Sequence, residues 1–220
     1  MVYDYSQIEK IVMAIITGVS NFACLPCLML MIIQERPFEF YIGLFTMLTS
    51  FMYHVTESLD VNFYLEPGKW HALDNIGSIC CFTSLLVYFM NFSKQRGLKL
   101  NYLSIFLVLT IQAENPWDLF NTIMPIVLFV VILIIDYVLN GYPKCNFETL
   151  TWGVGVLLIA VSMFLKGLDE HSDYMRIAHS LWHITVGIST FYLRQAKEKR
   201  FLSFSQIFSS INYSKIETCI

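Results

Sequence analysis

Charge is scarce in this chain. Only 14% of its 220 residues are Asp, Glu, Lys or Arg, the formal net charge is −3, and no basic stripe appears. Nucleic-acid binding needs a clustered positive surface to replace counterions on phosphate, so that function class is excluded. Thiols outside apolar sequence are equally few. Of six cysteines, Cys24, Cys27, Cys80 and Cys81 lie within apolar runs and only Cys145 and Cys219 lie outside them, which excludes a disulfide framework. The Cys24-Leu-Pro-Cys27 spacing has no βαβ context and reads as helix packing with a proline kink. A basic patch is missing ahead of the first apolar run, which carries Asp4 and Glu9 before it and is too long for a signal-peptide core. The C-terminal four residues, Glu-Thr-Cys-Ile, do not form a prenylation box.

What the chain has in abundance is apolar sequence. Its AVILMFWYC content is 56% and its mean hydropathy is +0.58, more than a soluble domain can cover. Apolar runs fall at about 10–33, 39–58, 69–91, 100–113, 117–140, 147–166 and 172–194. A bilayer core of ~30 Å takes about 20 apolar residues per helix, so the expectation is an all-α membrane protein, a bundle of seven transmembrane helices followed by a tail over 196–220. The run at 100–113 is short for a span and needs help from flanking groups or a thinned bilayer.

Counting Lys and Arg between runs orients the bundle. The N-terminus and the even-numbered connections hold Lys10, Lys69, Lys166 and Arg176, whereas the odd-numbered connections and the tail hold the other ten of the fourteen basic residues. By the positive-inside rule the N-terminus is outside and the C-terminus cytosolic. The sequons at Asn91 and Asn212 then face the cytosol and stay unmodified.

Ionisable groups inside a membrane are costly and mark function. The candidates are His54, Asp74, Asp136, His179 and His183. Asp136 lies one turn from the cytosolic end of its helix, within reach of the headgroups. The other four share one depth near the outer face. His179 and His183 are i, i+4 neighbours, the spacing at which two imidazoles hold one metal ion, and Ser50 stands in the same relation to His54. Three histidines supply the protein side of an open zinc site. Asp74 is placed to orient a water or accept its proton, and Ser50 to donate a hydrogen bond to a ligand or a developing oxyanion. An HxxxH pair alone also suits interhelical hydrogen bonding. The third histidine, the aspartate and the serine at matching depth favour the metal. His71 and His171 fall at the outer mouths of their helices and are expected to be solvated.

Phe45 to His54, Leu73-Asp-Asn-Ile-Gly-Ser78 and His179-Ser-Leu-Trp-His183 together resemble the transmembrane protein 8 and myomaker group. That group lies within a superfamily of alkaline ceramidases and progestin/adiponectin receptors. The resemblance implies that His54, His179 and His183 bind zinc, with Ser50 and Asp74 at the family's serine and aspartate positions. Where the family has His-Ala-Cys-Asp, this chain has His54-Val-Thr-Glu57. The resemblance also implies a plasma-membrane or secretory-pathway protein acting in myoblast fusion with membrane lipids and other fusion proteins, a homodimer, and palmitoylation at Cys219. The alternative it carries is a zinc-dependent lipid amide or ester hydrolase of ceramidase type. A receptor for a steroid or adipokine-like ligand is the weaker third.

The tail has Lys197, Lys199 and Arg200 ahead of Phe201, Phe204, Ile207, Phe208 and Ile211. This pattern suits a segment lying on the inner leaflet, with a disordered basic tail as the other possibility. Small residues suit close helix approach: Gly77, Ser78 and Cys81 after Asp74, and Gly187 after His183. Gly153 and Gly155 serve either a contact within the bundle or a subunit interface.

Overall fold

The computed structural model describes residues 5–169, 172–198 and 201–209; His171, Cys219 and the rest of the tail beyond 209 lie outside these residues. The described chain is helical, with one isolated bridge between Phe63 and Leu65 and no strand. Helix α1 (Gln7–Ser20) starts at Ser6, whose hydroxyl and Glu9 form a capping box. A 3-10 turn (Asn21–Cys24) leads into α2 (Leu25–Ile33), with Pro26 in its first turn, so the kink at the Cys-Leu-Pro-Cys motif is a change of helix type. Five helices follow: α3 (Pro37–Leu59), α4 (Pro67–Phe89), α5 (Lys94–Glu114), α6 (Leu119–Asn140) and α7 (Phe147–Gly167). A short 3-10 turn (Tyr174–Arg176) then precedes α8 (Ile177–Leu193).

Among the described residues four stretches are long and apolar enough to cross a membrane: Gln7–Ile33, Pro67–Phe89, Leu119–Asn140 and Phe147–Gly167. The side chains are distributed as in a membrane protein. Val127, Val131, Ile134 and Val138 of α6 are exposed, while Thr17, Ser50, Thr56, Ser84 and Ser104 are buried, the reverse of the order water imposes. Helix α3 is as long as α4 but is not among these four, and its inward positions include Thr49, Ser50, Tyr53, His54 and Thr56. Helix α5 extends well beyond its apolar run. Ser93 caps Arg96 and brings the basic turn Lys94–Lys99 into the helix, giving 21 residues, about 31 Å.

Helix α3 packs on α4 and α1, and α7 packs along α8. Two glycines set the position of α8. A Cβ on Gly187 would lie 2.8 Å from the Ala23 carbonyl oxygen in the 3-10 turn, and one on Gly167 would lie 3.1 Å from the Cα of His179. Gly153 meets Leu193 inside the bundle, whereas Gly155 has open space before it.

The antiparallel course of the helices creates two polar ends. His54 near the close of α3, Asp74 early in α4 and His179 early in α8 share one end. At the other end Arg36, Arg194 and Lys197 converge on Tyr88. The Arg36 guanidinium lies 4.6 Å from the ring centroid, and Arg194 bonds the Ser84 hydroxyl at 2.6 Å and faces Glu39 at 3.7 Å. Lys197 donates to the carbonyls of Tyr88 and Met90, and so caps the end of α4.

Two expectations change here. Asp136 does not reach outward: it is buried and accepts hydrogen bonds from the Asn91 backbone N–H and the Asn140 side chain, both at 2.8 Å, because the broken chain after α4 leaves a donor to satisfy. The segment 201–209 folds back onto the bundle. Ile207 is fully buried against Leu28, Leu30, Met47 and Phe191, and the Phe204 ring stacks on Phe191 at 4.2 Å.

Candidate metal centre

Three imidazoles from two helices far apart in sequence meet inside the bundle. His54 and His183 are buried and His179 is partly so, and one ligand atom of each lies within 4.8 Å of the others. The three ring centroids are 4.7 to 4.9 Å apart. His54 Nε2 and His179 Nε2 are separated by 3.1 Å. Two imidazole nitrogens on one tetrahedral zinc, each ~2.0–2.1 Å from it, stand roughly 3.3 Å apart, so this pair needs little adjustment to share an ion.

The far sides of the rings decide whether the cluster suits a metal. A ligating imidazole uses one nitrogen for the ion and offers the other to an acceptor that fixes its orientation. His183 Nδ1 lies 2.9 Å from the Ser20 hydroxyl, which itself donates to the Thr17 carbonyl. His54 Nδ1 is buried without a hydrogen-bond partner, and the Glu57 carboxylate stands 3.8 Å from it. The Nε2 of each of these rings is thereby left for the centre. The donor set of three neutral-capable imidazoles with one coordination position free is that of an open zinc site. The residues fit the ion.

Glu57 is held by two partners. The Tyr53 hydroxyl donates to it at 2.6 Å and the Arg176 guanidinium at 3.1 Å. Arg176, entered above only as a topological charge, therefore ties the entry of α8 to α3. That entry is unusual: Met175 and Arg176 both have positive φ, and the buried Asp173 carboxylate accepts from the N–H groups of Ala178 at 2.7 Å and His179 at 3.0 Å. The carboxylate satisfies the first-turn donors of α8 and so sets the rotation that aims His179 inward.

Asp74 sits on α4 beside this cluster, accepting from Ser78 at 3.4 Å and with the buried Ser50 of α3 as a neighbour. Ser50 and Asp74 are thus neighbours across α3 and α4, and Asp74 lies within electrostatic reach of His54. His71 is not in open solvent. Its ring is half-buried, stacks on Trp117 at 3.8 Å with a 13° tilt, and lies 4.8 Å from the Tyr53 ring. Asn75 donates to the Pro116 carbonyl at 2.6 Å, fixing the Trp117 loop over the end of α4.

Sequence reasoning missed Ser20, Glu57 and Asp173. Ser20 is one serine in an apolar run, and its only signal is that helix α1 ends there. Glu57 follows His54 by three residues, helical spacing that could have paired them.

A family model described as Protein of unknown function (DUF3522) matches residues 9–184. The chain belongs to that family. The matched region takes in His54, Asp74, His179 and His183 and stops within α8, before Arg194 and the tail. No curated protein matches the chain.

Proposed function

We propose that this protein is a seven-helix plasma-membrane protein that promotes cell–cell fusion of the myoblast type, with a zinc and lipid-binding site near the outer leaflet. The observation that carries the reading is the meeting of His54, His179 and His183, in a chain whose motifs resemble the transmembrane protein 8 and myomaker group. Seven crossings are supported by the helical stretch Gln7–Ile33 followed by six long helices. The three spans that fall short on hydropathy or length, α3, α5 and α8, are the ones whose inward faces are polar or whose ends are basic. An exoplasmic site follows from the ten-to-four partition of basic residues. Palmitoylation at Cys219 and a homodimer come with the resemblance.

His54, His179 and His183 would hold the zinc, which when bound supplies Lewis acidity toward a lipid carbonyl or phosphoryl oxygen. The chain's own residues do the rest. Ser20 holds the His183 ring in orientation, and Glu57 places a carboxylate beside the His54 ring. Asp173 fixes the start of α8. Ser50 and Asp74 present a hydroxyl and a carboxylate to whatever occupies the remaining position.

The same Ser50–Asp74 pair favours a second reading, a zinc-dependent hydrolase of lipid amides or esters, in which Asp74 takes a proton from an attacking water. Two measurements separate the readings. Fusion-incompetent cells expressing the wild-type chain with its partners become multinucleate under the first, and their remaining mononucleate overturns it. Purified protein incubated with ceramides, lysolipids and phospholipids releases product under the second. Ser50→Ala or Asp74→Asn then abolishes turnover, and if fusion persists in those variants hydrolysis is a side activity.

A further inference from the structure

The connection between α3 and α4 carries apolar side chains where a loop at a helix end has no interior to bury them. Phe63 is 63% exposed and Tyr64 is 92% exposed. Tyr64 stands at φ 59°, a left-handed conformation that is strained for a bulky residue. The tip is nonetheless held. Leu65 N–H donates to the Phe63 carbonyl at 2.6 Å, and the same carbonyl accepts from the Trp70 indole at 3.0 Å. Beside it lies the α5–α6 connection, where Trp117 and Phe120 are 61% and 67% exposed, with the Trp117 ring 3.8 Å from where a Cβ on Gly68 would stand. The two connections form one aromatic surface at the end of the bundle that holds the histidine cluster.

The charge on this surface has one dominant sign. Asp60, Glu66 and Asp118 surround the aromatics, and Lys69, paired to Glu66 at 4.0 Å, is the basic residue among them. The flanking helices α3 and α4 each have 23 residues. At 1.5 Å per residue they measure about 34 Å, already more than the ~30 Å hydrocarbon layer. The loop therefore lies beyond the hydrocarbon of its own bilayer, and its carboxylates keep it from sinking back. Exposed aromatic rings among carboxylates match a quaternary ammonium group, which ring faces attract and acids complement. They oppose an anionic surface. A pre-formed tip also spares the ordering cost of docking.

We propose that the Asp60–Glu66 loop, with Trp117 and Phe120 beside it, is a docking surface for the choline headgroups of an apposed bilayer. The inference rests on the exoplasmic orientation proposed above and is independent of zinc. It predicts that the protein recruits a second membrane before any event at the histidine cluster.

The test uses the full chain reconstituted in vesicles and dye-labelled, protein-free phosphatidylcholine vesicles as the probe. Wild-type proteoliposomes capture the probe. Phe63→Ser with Tyr64→Asn, the asparagine chosen because it tolerates positive φ, lowers capture roughly ten-fold while zinc content is unchanged. Probe vesicles containing phosphatidylglycerol are captured less. Absence of capture by the wild type, equal capture by the double variant, or equal capture of anionic vesicles overturns the proposal. Asn62→Cys, in a chain whose Cys145 and Cys219 are replaced by serine, separates this failure in intact cells from that of the orientation. Labelling by an impermeant maleimide without permeabilisation supports the outward loop, and labelling only after permeabilisation overturns both.

Discussion

The two polar ends of this bundle are built from opposite materials. At one end, three imidazoles gather with a buried ring nitrogen unpartnered on His54 and only a serine and a carboxylate behind them. At the other, Arg36, Arg194 and Lys197 are knitted to Glu39, Glu198, Ser84 and backbone carbonyls around Tyr88. Imidazoles can be neutral and can offer a lone pair; guanidinium groups do neither. The first end is thus built to receive something, and the second to hold helices together. Arg194 joins the end of α8 to α4 and α3, and the Gln34 side chain reaches the Arg194 carbonyl at 3.1 Å to add α2. The difference teaches that buried polarity in a membrane bundle is not one signal. What its groups can offer a ligand, a lone pair or only a fixed charge, separates a site from a clasp.

The largest expected effect tests the open end. His179→Ala with His183→Ala removes two of three ligands and costs roughly 6 kcal/mol of metal-binding free energy, so elemental analysis of the purified variant finds essentially no zinc where the wild type holds one ion per chain. Chelation lowers the unfolding temperature of the wild type and leaves that of the variant unmoved. If the wild type carries no stoichiometric metal, the comparison collapses into two structural clusters.

Next comes the clasp. Arg194→Met leaves Glu39 buried with Arg36 as its remaining ion-pair partner and costs about 3–5 kcal/mol, the scale for breaking a buried pair. Adding Glu39→Gln recovers part of that loss in a double-mutant cycle. The folded fraction of either variant keeps its zinc. Loss of metal in Arg194→Met with the fold intact would show that the two ends are coupled and that the division drawn here is wrong.

A smaller effect probes the support behind one ring. Ser20→Ala lowers zinc affinity about 10–100-fold by freeing the far nitrogen of His183, read by competition with a chromophoric chelator. An unchanged affinity would reduce Ser20 to a packing residue.

How much of this was legible in the sequence follows the same division. The residue types at the open end are rare in apolar helices and recur at helical spacing, so His54, Asp74, His179 and His183 could be picked out, and helix direction placed them at one depth. The supports could not be. Ser20 and Asp173 are ordinary polar residues whose roles depend on a helix that ends and a turn that reverses. The clasp was hidden for another reason: Arg36, Arg194 and Lys197 read as topological charges, and nothing in their spacing shows that Tyr88 lies among them. The tail followed suit, since the same apolar period that fits a leaflet also fits the groove where Ile207 is buried.

Lys197 gives the smallest effect and the finest test of the clasp. Its ammonium caps α4 through two carbonyls, but partial burial pulls its pKa below the ordinary lysine value. Desolvation of the charge therefore offsets much of what the hydrogen bonds contribute, and Lys197→Met changes stability at neutral pH by no more than about 1 kcal/mol. The sign with pH is opposite to that of a helpful ion pair. Because the folded state gives up this proton more readily than the unfolded state, the contribution of Lys197 improves as pH rises from its folded pKa toward that of free lysine, and it is lost again as pH falls. Thermal unfolding from neutral to alkaline pH should show the wild type gaining on Lys197→Met. A wild type that loses ground instead would mean that the charge is a net stabiliser, and the clasp would then draw on Lys197 as strongly as on Arg194.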